Sequence, residues 1–189
     1  NVEVLGEGKF RLTGLLRGRL GTEYATTGHV VGERFVMLDE RVRKLVVSPS
    51  NKGITWALKP VTFGESDNAV SASNYVVSAR ALMPLSPVHL KAERDAGGNA
   101  TFRWTRRARH GGEWRSEVDV PLMEVNESYD VEIIALGNVV RSWRVSVPEQ
   151  LYTAAQQVSD LGSVSGAITI RIYQISALVG RGQVAEAVV

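Results

Sequence analysis

The stretch SYDVEIIALGNVVRSWRVSV, residues 128–147, decides the fold. Tyr129, Val131 and Ile133 alternate with Asp130 and Glu132, and a period of two places the three apolar side chains on one face of a strand. Leu136-Gly137-Asn138-Val139 is a hairpin turn candidate, with Gly137 and Asn138 able to take positive φ, and Val139–Val147 reads as the returning strand. The same alternation recurs at Ile168, Ile170 and Ile172 and at Phe102 and Trp104, which makes Trp104 the inward aromatic of its strand.

Working outward, strands are expected at Val88–Arg94, Ala100–Thr105, Ser128–Ala135, Val139–Val147, Gln150–Thr153, Ala167–Ser176 and Val184–Val188. Seven short strands in about 100 residues predict a fibronectin type III or immunoglobulin-like sandwich over 85–189. Tyr152–Leu161, rich in Ala and Gln, predicts a short helix of a turn or two capping a crossover. Upstream, Lys9–Leu16, Arg34–Asp39, Arg43–Val47, Ile54–Phe63 and Tyr75–Leu82 read as strands of a β-rich domain over 1–84. Met83-Pro84-Leu85-Ser86-Pro87 is the expected joint, because two prolines three apart stiffen a connector and do not fit a central strand. The whole is an all-β chain of two domains.

Composition fits that picture. The chain has 189 residues, 44% hydrophobic and 22% charged, enough apolar material to expect a core in each half. Cysteine is absent, which removes disulfides, thiolate metal sites and a cysteine nucleophile. The three histidines, His29, His89 and His110, have no pair at i,i+4 spacing, so no metal or other cofactor is expected. No apolar run approaches the roughly eighteen residues of a membrane helix. Residues 1–84 carry 11 basic and 8 acidic side chains and residues 85–189 carry 11 and 12, too balanced to predict nucleic-acid binding. The chain starts at Asn1 without methionine or a signal segment, and it reads as a piece of something longer.

Catalytic patterns are sparse. No Gly-x-Ser-x-Gly elbow occurs, and no context orients a histidine toward a serine. Glu113, Glu117, Asp119, Glu124 and Glu127 are the carboxylates a glycosidase would need, but they read as a solvated loop. Gly6-Glu7-Gly8 and Gly180-Arg181-Gly182 read as turns rather than phosphate cradles, since no helix follows either. The chain is therefore expected not to be an enzyme.

Arg106–Glu127 is long for a sandwich connection, and such loops are functional or disordered. Arg106, Arg107, Arg109, His110, Trp114 and Arg115 are its candidate contact residues, because an indole beside guanidinium groups can stack on a sugar or hold an anionic polymer. The alternative is that Trp114 folds back over the sandwich while the arginines pair with the acids that follow. Arg17, Arg19 and Glu23, around Gly18 and Gly21, form a second arginine-rich loop, either a recognition loop or a rigid turn. Trp56 and His29 read as packing residues.

Four blocks in order carry a resemblance: LLRGRLGTEYATTGHVVGERF within Leu5–Phe35, FRWTRRARHGGEWRSEVDVPLMEVNESYDVEI over Phe102–Ile133, YTAAQQVSDLG over Tyr152–Gly162 and IRIYQISALVGRG over Ile170–Gly182. Together they resemble the C-terminal part of the large tail-tip or baseplate hub (host-specificity) proteins of gene transfer agents and related siphophages. The resemblance implies a structural role at the distal tail tip and a fibronectin type III-like final module. It also implies neighbouring tail proteins as partners, a trimeric assembly and action at the host surface. Relatives carry an upstream barrel similar to glycoside hydrolases, and its alternating strand and helix pattern is missing from these residues. The competing expectation is a carbohydrate-binding module that grips envelope polysaccharide through the Arg106–Arg115 loop. Two departures from an ordinary fibronectin module stand out: the long 106–127 connection, and Ile168 where many modules carry a tyrosine.

Overall fold

The computed structural model describes residues 1–19, 21–112, 119–164 and 166–189. Its first part holds two isolated hairpins, β1 (Val2–Gly6) with β2 (Lys9–Leu12) and β3 (Thr55–Leu58) with β4 (Ser73–Val76). Gly6, Glu7 and Gly8 all have positive φ and form the β1–β2 turn, as their sequence suggests. Elsewhere the described residues of this half form irregular chain, turns and single 3-10 turns.

The expected strands Arg34–Asp39 and Arg43–Val47 do not form, and those at Lys9–Leu16, Ile54–Phe63 and Tyr75–Leu82 shrink or shift to β2, β3 and β4. The reason is pairing. An apolar run becomes a strand only where another backbone meets its N–H and C=O groups, and none among the described residues does so here. The expected core of this half is also missing: among the described residues of 1–83, Val77 alone is buried.

The second part behaves differently. Its strands are β5 (Val88–Arg94), β6 (Ala100–Thr105), β7 (Tyr129–Ala135), β8 (Asn138–Val145), β9 (Glu149–Tyr152), β10 (Thr169–Ser176) and β11 (Gly180–Val188), each within a few residues of expectation. They form two antiparallel sheets, β5-β6-β9 and β11-β10-β7-β8. The chain runs from the three-stranded sheet to the four-stranded one, back through β9 and over again to β10. This order is that of a fibronectin type III-like sandwich.

Alternation builds the core. Phe102, Trp104 and Tyr152 project from one sheet and Tyr129, Val131, Ile133, Ile170 and Ile172 from the other, with Ile168 at the edge, and all are buried. Each such side chain contributes about 1.5–3 kcal/mol relative to exposure. The aromatic rings meet edge-on, Trp104 against Tyr129 with centroids 5.2 Å apart and Trp143 against Tyr152 at 5.5 Å.

On the opposite face of the four-stranded sheet, Asp130 and Glu132 are buried beneath arginines. Asp130 accepts from Arg144 (2.8 Å) and Arg181 (2.7 Å), while Arg181 also pairs with Glu132 and lies over the Tyr173 ring. Burial alone would raise the Asp130 pKa, but the two arginines outweigh it and hold the carboxyl below its ordinary value.

Helix α1 (Ala154–Leu161) closes the crossover from β9 to β10. Thr153 and Gln156 form a capping box at its start, and Gly162, at φ 80°, ends it. Gln157 is fully buried and donates to the carbonyls of Gly98 and Tyr152, tying the helix to the β5–β6 turn. Asp160 accepts from Arg141 on β8 and from the Tyr152 hydroxyl (2.9 Å). Burial and this carboxylate push the Tyr152 pKa up to about 12.

The proline joint is packed rather than exposed, with Pro84, Leu85 and Pro87 buried. Pro84 accepts a backbone hydrogen bond from Gln183 at 2.9 Å. A Cβ on Gly182 would sit 2.6 Å from the Pro84 carbonyl oxygen, so glycine is required there. Gly180-Arg181-Gly182 is therefore the start of β11 and not a turn, because the glycine serves a close backbone approach.

The β7–β8 turn also differs from expectation. Leu136 (φ 50°) and Gly137 (φ 79°) are its two central residues, and Asn138 pairs with Ala135 as the first residue of β8. Positive φ at both positions is the type I′ requirement, which leucine meets at a steric cost. Leu136 is fully exposed, so it loses no packing on replacement. Leu136→Asn is expected to stabilise the protein by about 0.5–1 kcal/mol in chemical denaturation.

Arg141 and then Tyr152 hold the Asp160 pKa below its ordinary value of 3.8. Its stabilisation is thus full above pH 3.8 and is lost as the pH falls through the lower folded value. Asp160→Asn is expected to flatten that part of the acid limb when melting temperature is followed from pH 6 to about pH 2.

Candidate functional site

Loop 106–127 leaves β6 at Thr105 and returns at Tyr129, so its ends are fixed by core strands of opposite sheets. Arg106 turns inward. Its guanidinium reaches Asp119 (2.7 Å), Glu127 (3.5 Å) and the Val120 carbonyl (2.5 Å). Glu127 in turn accepts from the Tyr129 hydroxyl at 2.6 Å. Burial and that neighbouring carboxylate raise the Tyr129 pKa well above the ordinary phenol range.

Arg107 reaches across to the first half and donates to Glu23 at 2.6 Å. Burial would raise the Glu23 pKa, but the Arg107 hydrogen bond and charge prevail and lower it. Arg109 pairs with Glu124 at 2.7 Å, and this pair is the most enclosed of the four, with side chains 14% and 7% exposed. The Met123 carbonyl accepts from the same guanidinium. Gly111, at φ 71°, brings the loop against the Pro121 ring.

Arg106, Arg107 and Arg109 thus each face an acid, two of them from the segment that follows. His110 is exposed and makes no hydrogen bond or ion pair among the described residues. Trp114 and Arg115, with Glu113 and Glu117, lie outside the described residues. Of the five glycosidase candidates, the three described ones are spent on ion pairs: Asp119 and Glu127 on Arg106, Glu124 on Arg109.

The other arginine-rich loop is a tied turn. Thr22 donates to the Arg19 carbonyl through both its backbone N–H (3.2 Å) and its hydroxyl (2.7 Å), and Thr26 likewise closes on Glu23. Trp56 packs half-buried beside Tyr75 on the β3–β4 hairpin. His29 is not a packing residue: it is exposed, within hydrogen-bond reach of Glu33 (2.5 Å) and the Ala25 carbonyl (3.1 Å). Among the described residues, no three His, Asp or Glu side chains come together in a cluster that could hold a metal.

Arg109 and His110 line a cavity of about 310 Å³ that extends into the first half, where Gly21, Lys44, Arg80 and Ala81 complete its wall. Met83, Leu85 and Gln183 supply the rest. Lys44 and Arg80 carry no motif in the sequence. Only the folding of 1–84 against Leu85 and β11 brings them beside Arg109.

Three comparisons bear on the chain. The C-terminal model of the Rcc01698-like family matches residues 1–36. No curated protein matches. Among solved structures, domains d3–d4 of the rat CD45 extracellular region are similar at 11% identity and a TM-score of 0.35, over 86% of this chain and 79% of that one. The sandwich assignment stands on the strand order given above. No helix among the described residues is long and apolar enough to cross a membrane.

Removing one member of an enclosed ion pair leaves a charge with little water and no partner. Glu124→Ala is expected to destabilise the protein by about 3 kcal/mol in urea denaturation, and Arg109→Met/Glu124→Leu by much less.

Proposed function

We propose that the chain is a non-enzymatic assembly module of a phage-like particle or gene transfer agent, placed at the distal tail tip, with residues 1–84 docking on neighbouring tail proteins. One observation carries this reading. The first half leaves apolar side chains uncovered on turns and irregular chain outside any strand: Leu16, Val31, Phe35, Leu38, Val46 and Phe63 are all exposed. Apolar surface of this kind on unpaired backbone marks an interaction face, because both the side chains and the N–H and C=O groups gain from a partner. The family match supports the reading, since it falls on residues 1–36 of this half. The sandwich then presents its loops toward the host surface, and a trimer is the assembly that the resemblance implies.

The test is incorporation. Coexpressed with the tail genes that flank its coding sequence, the wild-type chain should enter particles or copurify with their subunits. Phe35→Ser/Leu38→Ser should reduce incorporation by about tenfold or more, since each buried apolar side chain contributes about 1.5–3 kcal/mol. Its melting temperature should not change, because both residues are exposed. Equal incorporation of the variant would remove the apolar strip from the contact. Failure of the wild type to join any tail protein, or release of reducing ends from purified cell wall, would overturn the reading.

A further inference from the structure

The cavity between the two halves has an uneven chemistry. Lys44, Arg80, Arg109 and His110 line it, and no acidic side chain among the described residues does. Arg109 is already balanced by Glu124. Arg80 donates to the Tyr24 hydroxyl (3.2 Å) and lies over that ring, two contacts that leave its charge uncompensated. Lys44 is exposed and makes no hydrogen bond or ion pair among the described residues. Among the described residues the site therefore carries positive charge without a counterion, a condition that favours an anionic ligand.

The remaining wall narrows the choice. Met83 and Leu85 form an apolar side, and Gln183 offers an amide that can both donate and accept. A bare inorganic anion would use the cations and leave the apolar side and the amide idle. A pyranose bearing a carboxylate uses all three: the carboxylate meets Lys44 and Arg80, hydroxyls meet Gln183, and the C–H face of the ring covers Leu85. The volume of about 310 Å³ is at the small end of the range for ligand sites, as one sugar unit requires.

We propose that this cavity binds a sugar acid, with Lys44 and Arg80 as the carboxylate contacts. The proposal gives the glycan-binding expectation a ligand class and a location that includes Arg109 and His110. It is separable from the assembly reading, because incorporation into particles needs no sugar.

Isothermal titration of the full chain with D-glucuronate tests it, with D-glucose and inorganic phosphate as controls. Saturable glucuronate binding that weakens with added salt is expected, with both controls at least about tenfold weaker. Lys44→Glu, at an exposed position, should weaken glucuronate by about tenfold or more while leaving the melting temperature in place. Absence of glucuronate binding, equal binding of glucose or phosphate, or an unchanged Lys44→Glu affinity would each overturn the proposal.

Discussion

The second half of this chain depends on the contact between two sheets, where Phe102, Trp104 and Tyr152 interdigitate with Val131, Ile133, Ile170 and Ile172. That layer sets the strand order and fixes the ends of loop 106–127. It also gives α1 a surface to close, through Tyr152 and Asp160. Without it no other contact in the second half has a fixed frame, since the ion pairs and caps join elements that the core has already placed.

The polar interactions follow a common rule. Buried acid side chains are matched by arginines: Asp130 with Arg144 and Arg181, Asp160 with Arg141, Glu124 with Arg109. Such pairs add little net stability against apolar alternatives, but removing one partner of a buried pair is costly because it leaves the other charge uncompensated. The seam cavity departs from this pattern, with Lys44 and Arg80 meeting no carboxylate among the described residues.

How much of this was legible in the sequence divides at the proline joint. Alternation located the seven sandwich strands and the inward aromatics because both faces of that pattern are answered by a partner strand and a facing sheet. The same signal misled at Arg34–Asp39 and Arg43–Val47, since residue type records a preference for extended chain and not the presence of a neighbour. The turn at Leu136 escaped for a related reason: register, not propensity, decided which residues took positive φ. At the site, arginines pairing with the acids that follow was one of two readings open in the sequence. Arg107 with Glu23 and the approach of Lys44 and Arg80 to Arg109 link distant parts of the chain, and no local pattern announces them.

The near absence of buried residues among those described before Pro84 has a thermodynamic consequence. A segment that hides so little apolar surface cannot offset the entropy of ordering its own backbone, so its order is borrowed from whatever it lies against. The two halves should therefore answer to different variables. The sandwich has a stability of its own, whereas under the proposed docking the order of the first half would rise and fall with the concentration of its partners, as in folding coupled to association.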